Sequence, residues 1–388
     1  MLSERFVAGS ALRIRPVLDL GRGVAQLFLF GALPLCYFAL FVYVLAGGLH
    51  TFDFHTFWRS GYDVLHGHSP YPGSLPAVAD RDTFRPFVYP APAAIVMAPI
   101  SLIPFPVANV LWAIVGIAAI AGALRLLDVR DWRCYGAAFA SAPVWSSLIN
   151  GAISSVLVLG CAALWRYRSR PWAAAALLAG LIVLKLYLWP LAIWLLATRR
   201  FRASLLSVAI AVAVTFGAWA AIGFAGLREY PHLIDRLTTL VGAQSYSPYA
   251  FFRALGASDG TGRVAILACG VGLLACVVAH ARRSDREGSA FVLAIGASLV
   301  LTPIVWPHYF VLMLVPLAIA RPRIGYVWAA PMLLWFFTPA WSGGDANRIG
   351  IVLAVATGAL AWTVFALRPS RPRVATAAAP PLLQFGIK

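Results

Sequence analysis

Charged side chains are scarce in this chain, where Asp, Glu, Lys and Arg make up 12% of the 388 residues. A soluble domain carries roughly 25% charged residues, so about half of the usual charge is missing. Lysine is almost absent, since Lys185 is the only one before the C-terminal Lys388. The chain is 61% apolar with a mean hydropathy of +0.81. Apolar runs long enough to cross a bilayer recur throughout, which predicts an all-α polytopic membrane protein without a large soluble domain.

Several common kinds of site are also missing from the sequence. The five cysteines lie in or beside apolar segments and show no CxxC or Cys/His spacing for a metal. There is no glycine-rich phosphate loop and no soluble nucleotide-binding domain. The net charge of +17 could suggest nucleic acid, but no basic module with interleaved aromatic residues is present to bind it. We therefore expect no metal, no cofactor and no nucleic-acid partner.

Positive charge falls in short clusters between the apolar runs, and such clusters mark the cytoplasmic side of a membrane protein. The main clusters occupy 125–133, 166–170, 199–202, 282–286, 321–323 and 368–373. One threading of about twelve helices puts all of these clusters and both termini in the cytoplasm, where they contact anionic membrane lipids. Its helices are 24–46, 106–124, 134–149, 151–165, 171–183, 184–198, 203–225, 264–280, 289–303, 308–320, 324–340 and 349–367. The basic start of the chain precedes a long apolar run without a small-residue cleavage site, which predicts a retained first helix.

This threading requires that 90–105 does not cross the membrane. The segment is short and contains four prolines, which favours an interfacial or re-entrant element. Two long loops, 47–105 and 226–263, then lie outside. Residues 1–368 form one membrane domain, and the tail 369–388, rich in Arg, Pro and Ala, is predicted to be disordered in the cytoplasm.

The threading brings the unusual polar residues to the outer face. Lys185 lies in an apolar stretch, where an ionised side chain is costly unless it is paired or solvated; it either binds an anion or is a snorkelling lysine at a helix end. His308 follows two proline breaks. Its side chain either has a functional role or caps the start of the next helix. Asp53 follows the first helix and is either a general base or a solvated loop residue. The neighbouring His66 and His68 have no clear further ligands for a metal.

Short elements in a fixed order carry a family resemblance from about residue 50 to 320. They are Asp53 with Trp58 and SPYP (69–72), FVYPAP (87–92), the turn Gly151-Ala152-Ile153-Ser154, Lys185-Leu186, Ala243-Gln244-Ser245 and TPIVWPHY (302–309). Together they resemble the polyprenol-phosphate-sugar-dependent glycosyltransferases of family 87, which have the GT-C membrane fold. That family includes actinobacterial alpha-mannosyltransferases. This chain departs from its pattern at Ala152, Ala243 and Tyr309.

The resemblance implies an inverting sugar transfer on the extracytoplasmic face of the plasma (inner) membrane. Asp53 would be the catalytic base in the loop 47–105, and Lys185 and His308 would bind the donor phosphate. The implied substrate-binding residues are Trp58, Tyr89, Gln244 and Trp306. The donor would be a polyprenyl-phosphate sugar, with mannose expected first and arabinofuranose as the alternative. The acceptor would be a glycolipid or a cell-envelope glycan.

Two other classes of protein fit the bulk properties. A secondary transporter also has about twelve helices, but its sites usually lie near the bilayer midplane. In this chain the polar residues gather instead at the predicted outer face. A scaffold or lipid-binding protein without catalysis is the third reading, and the presence of both Asp53 and Lys185 argues against it.

Overall fold

The computed structural model describes residues 20–47, 51–71, 86–339 and 342–368. These residues form helices joined by short connections, and no strand occurs among them. An apolar chain favours this architecture because a helix pairs its backbone N–H and C=O groups within its own segment, away from water. The predicted all-α class is thus confirmed for the part of the chain that the structure describes.

Seventeen α-helices follow one another in the described residues. They are α1 (Leu20–Ala46, with a π-helical turn at Phe28–Ala32), α2 (Phe52–Leu65), α3 (Ala91–Ser101), α4 (Phe105–Leu126), α5 (Trp132–Phe139), α6 (Ala142–Asn150), α7 (Ser154–Tyr167), α8 (Pro171–Leu184), α9 (Pro190–Ala197), α10 (Phe201–Ala221), α11 (Tyr230–Val241), α12 (Pro248–Ala254), α13 (Asp259–Ala281), α14 (Glu287–Val300), α15 (Leu314–Ala320), α16 (Ala330–Leu333) and α17 (Ala346–Ala366). Short 3₁₀ segments are Leu186–Leu188, Gly242–Gln244, Ser284–Arg286, Pro307–Met313, Tyr326–Ala329 and Leu334–Phe336.

Five of the described helices are long and apolar enough to cross a membrane, namely α1, α4, α10, α13 and α17. Six shorter apolar helical stretches accompany them, at Ala91–Ser101, Ser154–Tyr167, Pro171–Leu184, Leu186–Ala197, Pro307–Ala320 and Tyr326–Phe336. A multi-pass membrane protein is therefore confirmed, whereas the total of about twelve crossings stays a prediction. The stretch Val311–Val315 is fully buried, with each residue at most 1% exposed.

Most helix bounds agree with the sequence prediction within a few residues, and 134–149 is the clearest difference. This stretch is two helices, α5 and α6, separated at Ala140 and Ser141. Pro143 lies in the first turn of α6 and has no N–H for a continuous helix, so the chain restarts there. The indole N–H of Trp335 donates to the carbonyl of Ala140 at 2.6 Å, which satisfies an acceptor at the break.

The proline-rich segment 90–105 contains α3, an 11-residue helix. Such a helix is about 17 Å long, well short of the roughly 30 Å hydrocarbon core. That the segment does not cross the membrane stays a prediction. It packs along α2, where Gly61 allows a close approach: a Cβ there would lie 2.7 Å from the backbone carbonyl of Met97. Ser101 Oγ also donates to the carbonyl of Trp58 at 2.7 Å, so the two helices are tied together.

Segments that the threading placed on the cytoplasmic face meet one another in the structure. Glu287 at the start of α14 accepts from Arg168 Nε after α7 at 2.8 Å, and Nη1 of Arg200 before α10 lies 2.9 Å from the same oxygen. The carboxylate of Asp131 accepts from the backbone N–H of Ile324 at 2.9 Å, which joins two further segments of that set. The predicted threading places these segments at a common end of the bundle, and their position on the cytoplasmic side stays a prediction.

Several predictions concern residues outside the described part of the chain. They are the basic N-terminal residues before Leu20, the stretch 72–85 of the first outer loop with Pro72 of SPYP, and the tail 369–388. The second predicted outer loop, 226–263, lies within the described residues and contains α11, α12 and the first turn of α13.

Candidate active site

Asp53 lies in the first turn of α2, and neighbouring segments fix that turn in place. Thr51 immediately precedes the helix and donates from Oγ1 to Asn109 Oδ1 of α4 at 2.5 Å, with both side chains buried. The left-handed turn at Gly151 packs against the same point. Because both contacts hold the beginning of α2, the carboxylate has a defined position with 15% of its side chain exposed.

Gly151 is required by its conformation and by its neighbours. Its φ of +62° is in the left-handed region, and a Cβ would lie 2.6 Å from Phe54 Cβ and 2.8 Å from Thr51 Oγ1. Trp112 donates from Nε1 to the carbonyl of Gly151 at 2.8 Å, which fixes the turn from its other side. No side chain fits here without displacing the first turn of α2.

We expect Gly151→Ala to destabilise the protein by about 2–4 kcal/mol, from backbone strain and from overpacking against α2. Gly67→Ala is the matched control, since Gly67 also has a positive φ, +73°, but open space where the Cβ would lie. That control should cost only about 1 kcal/mol. Thermal unfolding of the two purified variants measures the difference, and equal losses would contradict the packing argument.

His308 faces Asp53 from the other half of the chain. Its Nε2 lies 3.6 Å from Asp53 Oδ2, and the residue is 5% exposed.

The turn that carries His308 is interrupted by Pro303 and Pro307, which leaves backbone carbonyls free to accept from outside the helix. Ser247 donates from Oγ to the carbonyl of Pro303 at 2.6 Å. The backbone N–H of Tyr246 donates to the carbonyl of Val305 at 2.8 Å, which further fixes this turn.

Lys185 ends α8 in an extended conformation and is 9% exposed. Its Nζ donates to Tyr309 Oη at 2.7 Å and lies 4.3 Å from the ring centre of Tyr89 and 4.6 Å from that of Tyr309. Aromatic faces stabilise a desolvated ammonium group through their negative quadrupole. The lysine is thus held inside the protein by aromatic rings and a hydroxyl, and the structure pairs it with no carboxylate among the described residues. We call Asp53, Tyr89, Lys185, His308 and Tyr309 the Asp53 cluster.

The electrostatics of the Asp53 cluster raise the proton affinity of its carboxylate. Burial raises the pKa of Asp53 to about 6, and the charge of Lys185 partly offsets that rise. Asp53 is on α2, outside the apolar helices of the bundle. A carboxylate with this pKa is ionised at neutral pH and still basic enough to take a proton.

Two polar atoms at the Asp53 cluster have no hydrogen-bond partner in the described part of the chain. They are Asp53 Oδ2 and the Oη of Tyr187, whose ring stacks on that of Tyr309 with centres 5.2 Å apart. A buried polar atom without a partner is costly. Each atom therefore marks a position where a polar ligand would complete the hydrogen bonding.

The structure brings together four of the residues singled out from the sequence. Asp53, Tyr89, Lys185 and His308 all belong to the Asp53 cluster. Within it, Tyr89 contacts Lys185 on one side and Phe57 on the other, with the two ring centres 4.4 Å apart. Phe57 follows Asp53 by one helical turn, so the two share a face of α2.

The other predicted substrate-binding residues have different surroundings. Trp58 donates from Nε1 to the carbonyl of Ile103 at 3.0 Å, on another face of α2, so it has a structural use. The backbone carbonyl of Gln244 accepts from the backbone N–H of Ser342 at 2.9 Å. Trp306 packs beside Val241 and Ile304. Substrate binding by these residues stays a prediction.

Sequence reasoning missed Tyr187 and Tyr309 as members of the site. Tyr309 stood out only as a departure from the family pattern, yet its hydroxyl is the hydrogen-bond partner of Lys185. Tyr187 follows that lysine by two residues, and this spacing was the available signal. Among the described residues, no group of three or more His, Cys, Asp or Glu side chains could hold a metal. Independence of a metal stays a prediction.

Comparison with known proteins gives one family and two similar enzymes. The family described as Glycosyltransferase family 87 matches residues 87–307, a range that includes Tyr89, Lys185 and Trp306 and ends one residue before His308. A polyprenol-phosphate-mannose-dependent alpha-(1-2)-phosphatidylinositol pentamannoside mannosyltransferase of Mycolicibacterium smegmatis is 30% identical over 84% of this chain and 88% of its own length.

A protein of the same description from Mycobacterium tuberculosis is 28% identical over 85% of each chain. No solved structure matches the chain. The family match covers more than half of the sequence, and the relatives extend the similarity over most of the remainder. The chain belongs to glycosyltransferase family 87.

Proposed function

We propose that this chain transfers mannose from a polyprenyl-phosphate-mannose donor to a hydroxyl of a membrane glycolipid or cell-envelope glycan, with inversion at the anomeric carbon. One observation carries the proposal: the Asp53 cluster combines a basic carboxylate with a buried lysine. A transfer from a sugar phosphate needs these two groups, a base for the acceptor and a cation for the leaving phosphate. The names of the two relatives support the donor and the glycolipid class of acceptor.

Asp53 acts as the base in this proposal. The acceptor oxygen attacks the anomeric carbon while its proton passes to a carboxylate oxygen of Asp53. The bond from that carbon to the phosphate oxygen breaks, and its electron pair leaves with the lipid phosphate. One carboxylate is sufficient, because the phosphate leaves without a second acid to protonate it. His308, whose Nε2 lies 3.6 Å from Asp53 Oδ2, contacts the phosphate.

Lys185 meets the charge that grows on the departing phosphate. Its ammonium group and the hydroxyls of Tyr187 and Tyr309 are donors in one buried place. Donors that are already fixed there lose little reorganisation energy when the charge develops. Tyr309 stands where the family pattern has a second histidine, so in this chain a phenol holds the lysine.

The polyprenyl chain of the donor occupies an apolar groove in this proposal. The groove lies between α13, α14 and α17 and has a volume of about 320 Å³. Its lining reaches from Tyr246 and Val305, next to the turn that carries His308, to Arg368 at the other end of α17. An apolar groove that ends beside the phosphate position suits a lipid whose reactive head is at the Asp53 cluster.

We expect Gly296→Leu to raise the KM for a long-chain polyprenyl donor about tenfold, which corresponds to roughly two buried CH₂ groups. Gly296 lines the groove, and a side chain there would point toward Leu360. The KM for a donor with a short lipid should not change, because that lipid does not reach Gly296. Gly358→Leu on α17 is the control, since a Cβ there meets open space. Equal effects on both donors would contradict this position of the chain.

The direct test of the proposed function uses purified protein in lipid vesicles with radiolabelled polyprenyl-phosphate-mannose. The acceptors offered are phosphatidylinositol mannosides of increasing length and a soluble mannose oligomer. We expect labelled glycolipid to form from the mannose donor. Transfer only from polyprenyl-phosphate-arabinofuranose would change the donor sugar, and the absence of transfer from both donors would refute the proposal.

We also propose that the Asp53 cluster faces the extracytoplasmic side of the plasma membrane. Basic residues cluster at the opposite end of the bundle, as the cytoplasmic ends of membrane helices do. A membrane-impermeant maleimide added to intact cells should label Ser69→Cys and leave Ser284→Cys unlabelled, in a chain without its five native cysteines. Both serines are exposed. Labelling of Ser284→Cys alone would reverse the topology.

A further inference from the structure

A second polar site lies at the end of α8 that is opposite to Lys185. It is a pocket of about 460 Å³, lined by the four arginines Arg168, Arg199, Arg200 and Arg202 together with Pro171 and Phe201. We call it the arginine pocket. It is separate from the Asp53 cluster, because the 14 residues of α8 lie between the two.

The arginine pocket is preorganised by one carboxylate. Glu287 accepts from Arg168 Nε at 2.8 Å and lies 2.9 Å from Nη1 of Arg200, so a single acidic group fixes two guanidinium groups. Arg168 is also held over the ring of Trp165, 3.9 Å from its centre. The remaining two arginines, Arg199 and Arg202, form no ion pair with the described part of the chain. The positive charge of the pocket therefore exceeds its negative charge.

Backbone dipoles add to this charge. The pocket is lined by the first residues of α8 and of α10, helices of 14 and 21 residues. The N-terminus of a helix carries about half a positive charge and N–H groups without intrahelical partners. Two such ends and four arginine residues line one cavity, and this combination favours an anion with several acceptor oxygens.

The surroundings of the pocket favour an anion carried by a lipid. Trp172 and Phe201 beside it are 61% and 55% exposed, and Leu205 on the next turn of α10 is 66% exposed. Aromatic residues and arginines are enriched where a membrane protein meets lipid headgroups. A pocket for a soluble anion would not need an apolar rim of this kind.

We propose that the arginine pocket binds the phosphate group of an anionic lipid headgroup. The phosphate oxygens accept from the guanidinium groups and from the helix N-termini, and the acyl chains lie along the exposed apolar side of α10. Arg199 and Arg202 contribute most of the net attraction, since Glu287 partly neutralises the other pair. The bound lipid is a resident of the site and not the sugar donor, whose phosphate belongs at Lys185.

The experiment measures binding of dioctanoyl phosphatidic acid to the detergent-purified full chain at fixed ionic strength. We expect Arg199→Gln/Arg202→Gln to weaken it about thirtyfold, because each arginine near an anionic headgroup contributes about a factor of five. The control is Arg125→Gln/Arg130→Gln, which removes two exposed arginines that do not line the pocket and should leave the dissociation constant unchanged. Lys185→Gln should leave it unchanged as well, which separates this pocket from the donor site.

Parallel titrations identify the source of the phosphate. Dioctanoyl phosphatidylcholine should bind far more weakly than phosphatidic acid, since its headgroup has no net charge. Tight binding of pyrophosphate that phosphatidic acid cannot displace would overturn the assignment to a lipid. Equal weakening by the pocket variant and by the Arg125/Arg130 variant would overturn the pocket itself, because it would mean that only overall charge matters.

Discussion

Asp53→Asn should lower kcat for mannosyl transfer by about 10²–10⁴-fold, the usual contribution of a correctly placed base. Asparagine keeps the shape of the side chain but takes no proton from the acceptor hydroxyl. The matched control is Asp63→Asn on the same helix, where the carboxylate pairs with Arg59 at 3.1 Å and is not part of the Asp53 cluster. Initial rates at saturating donor measure both variants, and activity of Asp53→Asn near the wild-type level would refute the assignment.

The same substitution should stabilise the protein at neutral pH. The pKa of Asp53 is about 6 in the fold against an ordinary value of 3.8, so the folded state binds the proton more tightly than the unfolded chain. The stability from that proton is complete below pH 3.8 and is lost as the pH rises through 6. The ionised carboxylate then costs on the order of 3 kcal/mol, which asparagine avoids.

Two measurements check this trade between activity and stability. The Tm of Asp53→Asn should exceed that of the wild type at pH 8, and the difference should vanish near pH 4. The kcat/KM of the wild type should rise with pH through about 6, since only the ionised carboxylate accepts the proton. A variant that is inactive and less stable at pH 8 would indicate a structural defect instead.

Lys185→Gln is expected to lower kcat by about 10²–10³-fold, as the loss of one charge-stabilising donor does in other enzymes. The phosphate gains negative charge as its bond to the sugar breaks, so the lysine interacts more strongly with the transition state than with the bound donor. The effect should therefore appear mainly in kcat, with a smaller change in KM. A rise in KM alone would mean that Lys185 binds the donor without aiding its cleavage.

Tyr309→Phe is the partner variant for this test. It removes the hydroxyl that accepts from Lys185 Nζ at 2.7 Å and retains both the charge and the ring. A hydrogen bond to a charged group contributes about 1.5–3 kcal/mol, so a loss of at least tenfold is expected. Lys185→Gln/Tyr309→Phe should lose little more than Lys185→Gln, because the hydroxyl acts through the lysine.

The members of the Asp53 cluster that sequence reasoning found are the ones that are rare in this composition. A lysine inside an apolar stretch, a histidine after two prolines and an acidic residue beside a membrane helix stand out against an apolar background. Their convergence was expected from a threading based on apolar runs, positive charge and one proline-rich segment, and the contacts between Arg168, Glu287 and Arg200 agree with it. The functional roles of these residues stay predictions that the variants above test.

The rest of the site could not be read from the sequence because its residue types occur many times in this chain. The chain has 13 tyrosines, and only the fold selects Tyr187 and Tyr309 as neighbours of the lysine. Trp58 resembled a substrate-binding aromatic, yet its indole N–H is bonded to a backbone carbonyl. The break between α5 and α6 was readable, since Pro143 marks the first turn of a new helix, but the overall hydrophobicity outweighed it in the prediction.

The length of α8 has a consequence for the depth at which the reaction takes place. Fourteen helical residues span about 21 Å, roughly 9 Å less than the hydrocarbon thickness of a bilayer. If the arginine end of α8 lies at one headgroup layer, as we propose, we expect Lys185 to lie below the level of the other. The membrane would then thin around this helix, or a water-filled funnel would descend to it. A sugar dissolved in the bulk would have to enter that recess alone, whereas an acceptor on a lipid anchor is already held at the right depth.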